Sequence, residues 1–208
     1  MRYYLYISEP KVDMLYSQIP AKMLDNIAGK LTIDLKLIKT EFSESPQEKT
    51  LHAKILMIEE YLQQCNFVGS TSAPNKYILD SSSMKMASYP SGLVYFGAEN
   101  GAIVGLGGSA TNVLGDRSEG RAHSHSVTPI LVQALKDEFE NVVAENCESS
   151  ALAGVELATS QMTGVKQKMS FLAKTLLKHP SDSFEYSRHG QSGDPVILGS
   201  PVYVALDE

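Results

Sequence analysis

Residues 101–115 read GAIVGLGGSATNVLG, and this stretch decides how the middle of the chain is interpreted. Five of its fifteen residues are glycine, and it opens as a short apolar strand. A glycine-rich turn after a strand can bring backbone N–H groups close to an anion or a cofactor. The alternative is a tight turn or bulge in which glycine only permits close packing. The sequence leaves both interpretations open.

Residues 105–110, GLGGSA, match the loose dinucleotide-binding pattern G-x-G-x-x-A. In a Rossmann unit such a turn leads into a crossover helix, and the pyrophosphate lies at the N-terminus of that helix. Residues 110–114 are too few for such a helix before Gly115. The motif therefore does not predict a dinucleotide fold, and it leaves open a tight turn with close packing or a ligand-binding loop.

The candidate site combines the glycine loop with nearby polar side chains. Backbone amides, hydroxyls and one aromatic ring suit a nucleotide-like small molecule. We therefore expect a sensing or regulatory domain that uses this loop, with no cofactor. The candidate ligand-binding residues are Gly105, Gly107, Gly108, Ser109, Thr111, Asn112 and Tyr95.

Two other classes of function stay open. A hydrolase would use carboxylates and imidazoles from the polar segment after the glycine stretch, namely Asp116, Glu119, His123 and His125. A bound metal is not expected there, because a structural site needs four placed ligands and no cysteine or third histidine stands at the right spacing. The third class is a non-catalytic subunit that holds a protein partner through strand edges and helix faces. No catalytic residue is assigned.

The segments around the glycine stretch predict an antiparallel unit at residues 66–115. Short β-type runs cover residues 76–79, 93–96 and 102–106, and Asn100-Gly101 between the last two is a strong hairpin signal.

Elements on either side alternate between helix and strand. Residues 4–7 predict a buried strand, and Glu9-Pro10 predicts a helix start. Pro20 separates a second helical piece that ends at Gly29, and the alternation in 31–37 predicts a strand. In chain order, the sequence also predicts a helix capped by Ser45 with Pro46 at its first position and running to Cys65, a helix over 128–146 and a strand over 154–160. A helix with Val165, Met169, Leu172 and Leu176 on one face is predicted to end near His179-Pro180. The chain closes with a predicted strand over 196–206, in which Gly199 and Pro201 indicate a bulge or an edge position.

Composition fits a single globular domain over residues 1–208, of the α+β class, with a mixed or mainly antiparallel sheet and about four helices packed on it. The net charge is −6 and 43% of the residues are apolar. Because no cluster of lysine or arginine stands out in the sequence, nucleic acid is not an expected partner. No apolar run approaches the length of a membrane span, and the opening residues lack a signal peptide. We therefore expect a cytoplasmic protein, whose oligomeric state the sequence does not reveal.

Three segments together resemble a known family. They are MRYYLYISEPKVDMLYSQIP at the start, LVYFGAENGAIVGLGGSATNVLG in the middle, and FLAKTLL with VILGSPVYVAL near the end. The chain resembles an uncharacterised family of bacterial proteins common in actinobacteria. The resemblance implies a bacterial, cytosolic, single-domain protein and carries over no catalytic residue.

Overall fold

The computed structural model describes residues 2–34, 49–89, 92–115, 147–179 and 195–207. They fall into two compact units. The first comprises Met1–Ile7 and Gly69–Glu208, and the second comprises Ser8–Val68. The single domain expected from composition stays a prediction.

The described residues form a mixed sheet and four α-helices, which confirms the α+β class. The strands are β1 (Tyr3–Ile7), β2 (Val68–Gly69), β3 (Tyr77–Tyr89), β4 (Leu93–Glu99), β5 (Ile103–Ser109), β6 (Gln167–His179) and β7 (Val196–Leu206). The helices are α1 (Glu9–Ser17), α2 (Ala21–Asp34), α3 (Leu51–Gln64) and α4 (Cys147–Gln161), and a short 3₁₀ turn spans Ala110–Asn112.

Five of the strands close into a ring. β3 pairs with β4, β4 with β5, β5 with β7, β7 with β6, and β6 returns to β3. All pairs are antiparallel except β5 with β7. The long strand β3 pairs with β6 over Tyr77–Met84 and with β4 over Met84–Tyr89, so the ring is staggered as a barrel requires.

The connectivity of this ring is that of the oligonucleotide/oligosaccharide-binding (OB) barrel, a five-stranded Greek key. The first ring strand is long and pairs with the second and the fourth. The third and fifth run parallel, and α4 lies between the third and fourth. Such a topology supports many functions, so it assigns none by itself.

An apolar core fills the ring, because one residue in two along each strand faces inward. Its larger members are Ile78, Met84, Val94, Phe96, Val104, Leu106, Met169, Phe171, Ile197 and Val204, with Tyr6 of β1 packed among them. The opposite face of β4 and β5 is covered by α4, whose buried residues are Ala151, Leu152, Val155 and Ala158. Both faces of this hairpin are therefore buried.

The second unit packs α1 and α2 against α3. Thr50 caps α3, its side-chain oxygen accepting from the Ala53 N–H at 3.2 Å. Lys54 pairs with Asp13 at 2.7 Å, and Lys30 pairs with Glu60 at 2.6 Å. These exposed pairs add little stability, and the buried apolar faces of the helices supply most of it.

Several predicted elements are confirmed. The first strand, the helix start at Glu9-Pro10 and the last strand all appear. The hairpin at Asn100-Gly101 also forms, with Glu99 opposite Ile103 and φ +68° at Gly101. The register on β7 skips Val202, which places the predicted bulge beside Pro201.

Two predictions in the N-terminal half are wrong. Residues 31–34 belong to α2 rather than to a strand, because Ile27 and Leu31 bury the same helix face and Gly29 lies within the helix instead of ending it. Residues 49–50 precede α3 without being helical, so no continuous helix joins Pro46 to Cys65. Ser45, Pro46 and the predicted helix over 128–146 lie outside the described residues.

Two further predictions exchange helix and strand. Residues 154–160 lie in α4, where Leu152, Val155 and Ala158 recur at helical spacing. Residues 167–176 lie in β6, where Met169, Phe171 and Ala173 alternate into the core. The helical spacing of Met169, Leu172 and Leu176 is coincidental. Phe171, which is fully buried, fits the strand period and not the helical one.

Candidate functional site

The predicted glycine loop is a strand. Gly105, Gly107 and Gly108 all lie in β5, and none has a positive φ. β5 pairs with β4 along one edge, and residues 103–106 pair with β7 along the other. The strand pairing engages the backbone on both edges over residues 103–106 and on the β4 edge beyond, so this stretch is not an open loop that cradles a phosphate. This corrects the loop geometry expected from the sequence.

The glycines instead permit close packing. A Cβ on Gly105 would clash with the Tyr95 ring and approach Val155 Cγ1 to 2.8 Å. A Cβ on Gly108 would come 2.5 Å from the Tyr6 hydroxyl oxygen. The two glycines thus make room for one tyrosine on each face of β5.

Tyr95 belongs to the contact between the hairpin and α4. Its side chain is fully buried, and its hydroxyl lies 2.8 Å from Thr159 Oγ1. Thr159 in turn donates to the Val155 carbonyl at 2.7 Å. Burial raises the pKa of Tyr95 far above its ordinary value, so the phenol stays protonated. Tyr95 is therefore enclosed rather than placed to meet a ligand.

The other polar candidates gather where β5 leaves the ring. Ser109 Oγ and Thr111 Oγ1 lie 2.8 Å apart, and Asn112 Nδ2 donates to the Tyr6 hydroxyl at 3.2 Å. Ser109 is buried, Asn112 is half-buried and Thr111 is exposed. We call Tyr6, Ser109, Thr111 and Asn112 the β5-end cluster. It brings together three of the seven predicted residues, with Gly108 packed against Tyr6, and leaves Tyr95 and Gly105 on the α4 side of β5.

Tyr6 reaches this cluster because β1 fills the gap where β5 and β7 diverge. β1 pairs with β7, while Tyr6 forms a bridge with Val113 and Leu5 accepts from the Leu114 N–H at 2.8 Å. The Tyr6 ring packs edge-on against Phe96, with centroids 6.0 Å apart. Sequence reasoning missed Tyr6 as a site residue, because no motif links it to a turn a hundred residues later.

The alternative hydrolase residues Asp116, Glu119, His123 and His125 lie outside the described residues. Within the described ranges, no three His, Cys, Asp or Glu side chains come together as a metal site would require. No helix in the described ranges is both long enough and apolar enough to cross a membrane.

The ring and its polar cluster define an α+β protein whose barrel has OB connectivity and whose third barrel strand ends in a hydroxyl- and amide-lined turn. The chain belongs to a family of unknown function, DUF7019, whose model matches residues 2–208. This confirms the expected membership in an uncharacterised family. Neither a curated protein nor a solved structure shows significant similarity to the chain.

Proposed function

We propose that this protein is a ligand-sensing domain that binds a small, polar, nucleotide-like molecule at the β5-end cluster. The observation that carries the proposal is the convergence of hydroxyl and amide groups from β1, β5 and the following turn at one partly accessible place. Ligand sites commonly combine an apolar surround with a few such placed polar groups.

The cluster has hydrogen-bonding capacity to offer. Asn112 uses one amide N–H on Tyr6, and in the described part of the chain its Oδ1 accepts no hydrogen bond. Thr111, the preceding residue, is exposed, and its hydroxyl pairs with that of Ser109. An amide oxygen and a hydroxyl suit the hydroxyls of a sugar or the edge of a base.

The chemistry of the cluster favours the nucleoside part of such a ligand over its phosphates. None of the four side chains is charged, and the backbone of residues 103–106 is paired with a neighbouring strand on both edges. The face of β4 and β5 on which OB barrels bind their ligands is covered by α4. A ligand therefore contacts the end of β5 rather than its face.

The experiment is a thermal-shift screen of the full chain against nucleosides, nucleotides and hexoses, followed by calorimetry on any hit. A ligand at about a hundred times its Kd should stabilise the fold by about 2.7 kcal/mol. Thr111→Val and Asn112→Ala should abolish the shift. Asn100→Ala, in the exposed hairpin, should preserve it.

Asn112→Ala also removes the hydrogen bond to Tyr6 and lowers stability. Thr111→Val changes an exposed side chain and avoids this complication. A panel without any hit, or a shift that survives both substitutions, would show the proposal to be wrong.

A further inference from the structure

The lysines of the barrel unit are concentrated on two neighbouring strands. Every lysine in the described part of that unit lies on β3, on β6 or directly before one of them. They are Lys76, Lys85, Lys166, Lys168, Lys174 and Lys178. All are exposed except Lys85, which is half-buried and donates to the Met162 carbonyl. Strand pairing thus builds a basic surface that the linear sequence does not reveal.

The register of β3 and β6 places two of these side chains, Lys168 and Lys174, on one face. Lys168 lies opposite Ser83, and Lys174 lies opposite Tyr77. Residues directly opposite in an antiparallel pair point to the same face. Since Met169, Phe171 and Ala173 face the core, Lys168 and Lys174 face outward. Exposed Ser83 and half-buried Tyr77 lie on that outer face beside them.

The acidic residues that the described part of the chain places beside these strands, Asp80 and Asp207, both accept hydrogen bonds. Asp80 is the only acidic residue of β3 or β6, and it lies opposite core residue Phe171. Its carboxylate accepts from the N–H and hydroxyl of Thr71 at 2.7 and 2.8 Å. Asp207, which follows β7, accepts from the Ser81 hydroxyl at 2.5 Å. Among the described residues, the β3–β6 pair therefore carries six lysines against Asp80 and the neighbouring Asp207, a local excess of positive charge in a chain whose total is −6.

The lysines form two groups rather than one point of charge. Lys85, Lys166 and Lys168 lie at one end of the β3–β6 pair, and Lys76, Lys174 and Lys178 lie at the other, where Lys178 is opposite core residue Ile197. Lys174 follows Lys168 by six positions, which is about 20 Å along a strand. Leu172 between them is buried. This spacing fits an extended polyanion that reaches both groups better than a compact anion held by one.

We propose that the β3–β6 lysines bind the backbone of a single-stranded nucleic acid. Lysines supply the sequence-independent phosphate contacts, and hydroxyl and tyrosine side chains such as Ser83 and Tyr77 often add to them. A membrane surface fits less well, because Val165 is the only large exposed apolar side chain in the described α4–β6 turn and β6. The site is distinct from the β5-end cluster and departs from the sequence-based expectation, which considered only clusters in the linear sequence.

The experiment measures fluorescence anisotropy of labelled oligo-dT and oligo-rU with the full chain over a series of salt concentrations. The wild type should bind at low salt, with log K falling linearly against log salt. Lys166→Gln/Lys168→Gln and Lys174→Gln/Lys178→Gln should each weaken binding and reduce the slope by about 1.4, since each single-strand phosphate contact contributes about 0.7. Lys22→Gln/Lys30→Gln, on exposed positions of α2, is the matched control and should bind like the wild type.

Failure of the wild type to bind at low salt would overturn the proposal, as would equal weakening by the α2 control. Poly-glutamate and vesicles containing phosphatidylserine serve as competitors. If either displaces the oligonucleotide at equal charge concentration, the partner is an acidic protein or a membrane, and the nucleic-acid proposal is wrong. Because the variants change exposed side chains, unchanged melting curves will separate lost binding from lost folding.

Discussion

β5 and β6 belong to the same ring and have opposite roles. β5 is buried along its whole length, with the core on one face and α4 on the other. β6 buries Met169, Phe171 and Ala173 and turns Lys168 and Lys174 to solvent. Glycine attracts attention in the sequence of β5, yet there it serves packing. The lysines of β6 are widely spaced in the sequence, yet they form the charged surface.

This difference shows that a glycine-rich strand and a glycine-rich loop have the same sequence signature. What separates them is whether neighbouring strands engage the backbone on both edges, and sequence alone does not show that. If β5 contributes stability and β6 contributes a charged surface, substitutions on β5 should lower the free energy of unfolding and substitutions on β6 should not.

Gly105→Ala should destabilise the fold by about 2–3 kcal/mol, because the new Cβ overlaps the Tyr95 ring and Val155 in a closed contact. Urea unfolding of the variant measures the loss. The control is Gly101→Ala, where φ is +68° but the space around Cα is open, and the expected loss is about 1 kcal/mol from backbone strain alone. Equal losses at the two positions would contradict the packing role of β5.

Tyr95→Phe should cost about 1–2 kcal/mol, since it removes a buried hydroxyl and its hydrogen bond with Thr159. A double-mutant cycle with Thr159→Val should give a coupling energy of about 0.5–1.5 kcal/mol. Additive effects would mean that the hydroxyl pair does not hold α4 on the hairpin.

Local sequence signals predicted the elements that they specify directly. Pro10 in a first helical turn, Asn100-Gly101 in a hairpin and the apolar run before Leu206 each depend on neighbouring residues alone. The predictions for 154–160 and 165–176 are wrong because their apolar residues fit both the helical and the strand period. Only packing within the folded barrel unit determines which structure forms. The same limit applies to the site: Ser109, Thr111 and Asn112 are close in sequence, whereas Tyr6 joins them only through the pairing of β1.

Gly29→Ala tests one corrected element directly. If α2 continues through position 29, the open space around Cα accepts a methyl group and stability should rise by about 0.5–1 kcal/mol. If the helix ended at Gly29 in a left-handed conformation, the same change would lower stability instead. The sign of the shift in urea midpoint therefore decides between the helix and the strand expected from the alternation in 31–37. Gly29→Ala is therefore expected to raise stability, whereas Gly105→Ala is expected to lower it.

The smallest effect on stability is expected on β6. Lys168→Gln/Lys174→Gln should change the free energy of unfolding by no more than about 0.5 kcal/mol, because both side chains are exposed and contribute charge rather than core contacts. The same variant should bind oligonucleotide more weakly, so that affinity falls while stability is nearly unchanged. Gly105→Ala should behave in the opposite way. It should lower the free energy of unfolding, and it should weaken binding only to the extent that less of the protein is folded. If the lysine substitutions instead lowered the urea midpoint as much as the glycine substitution does, β6 would be a structural strand like β5, and the contrast between the two strands would not hold.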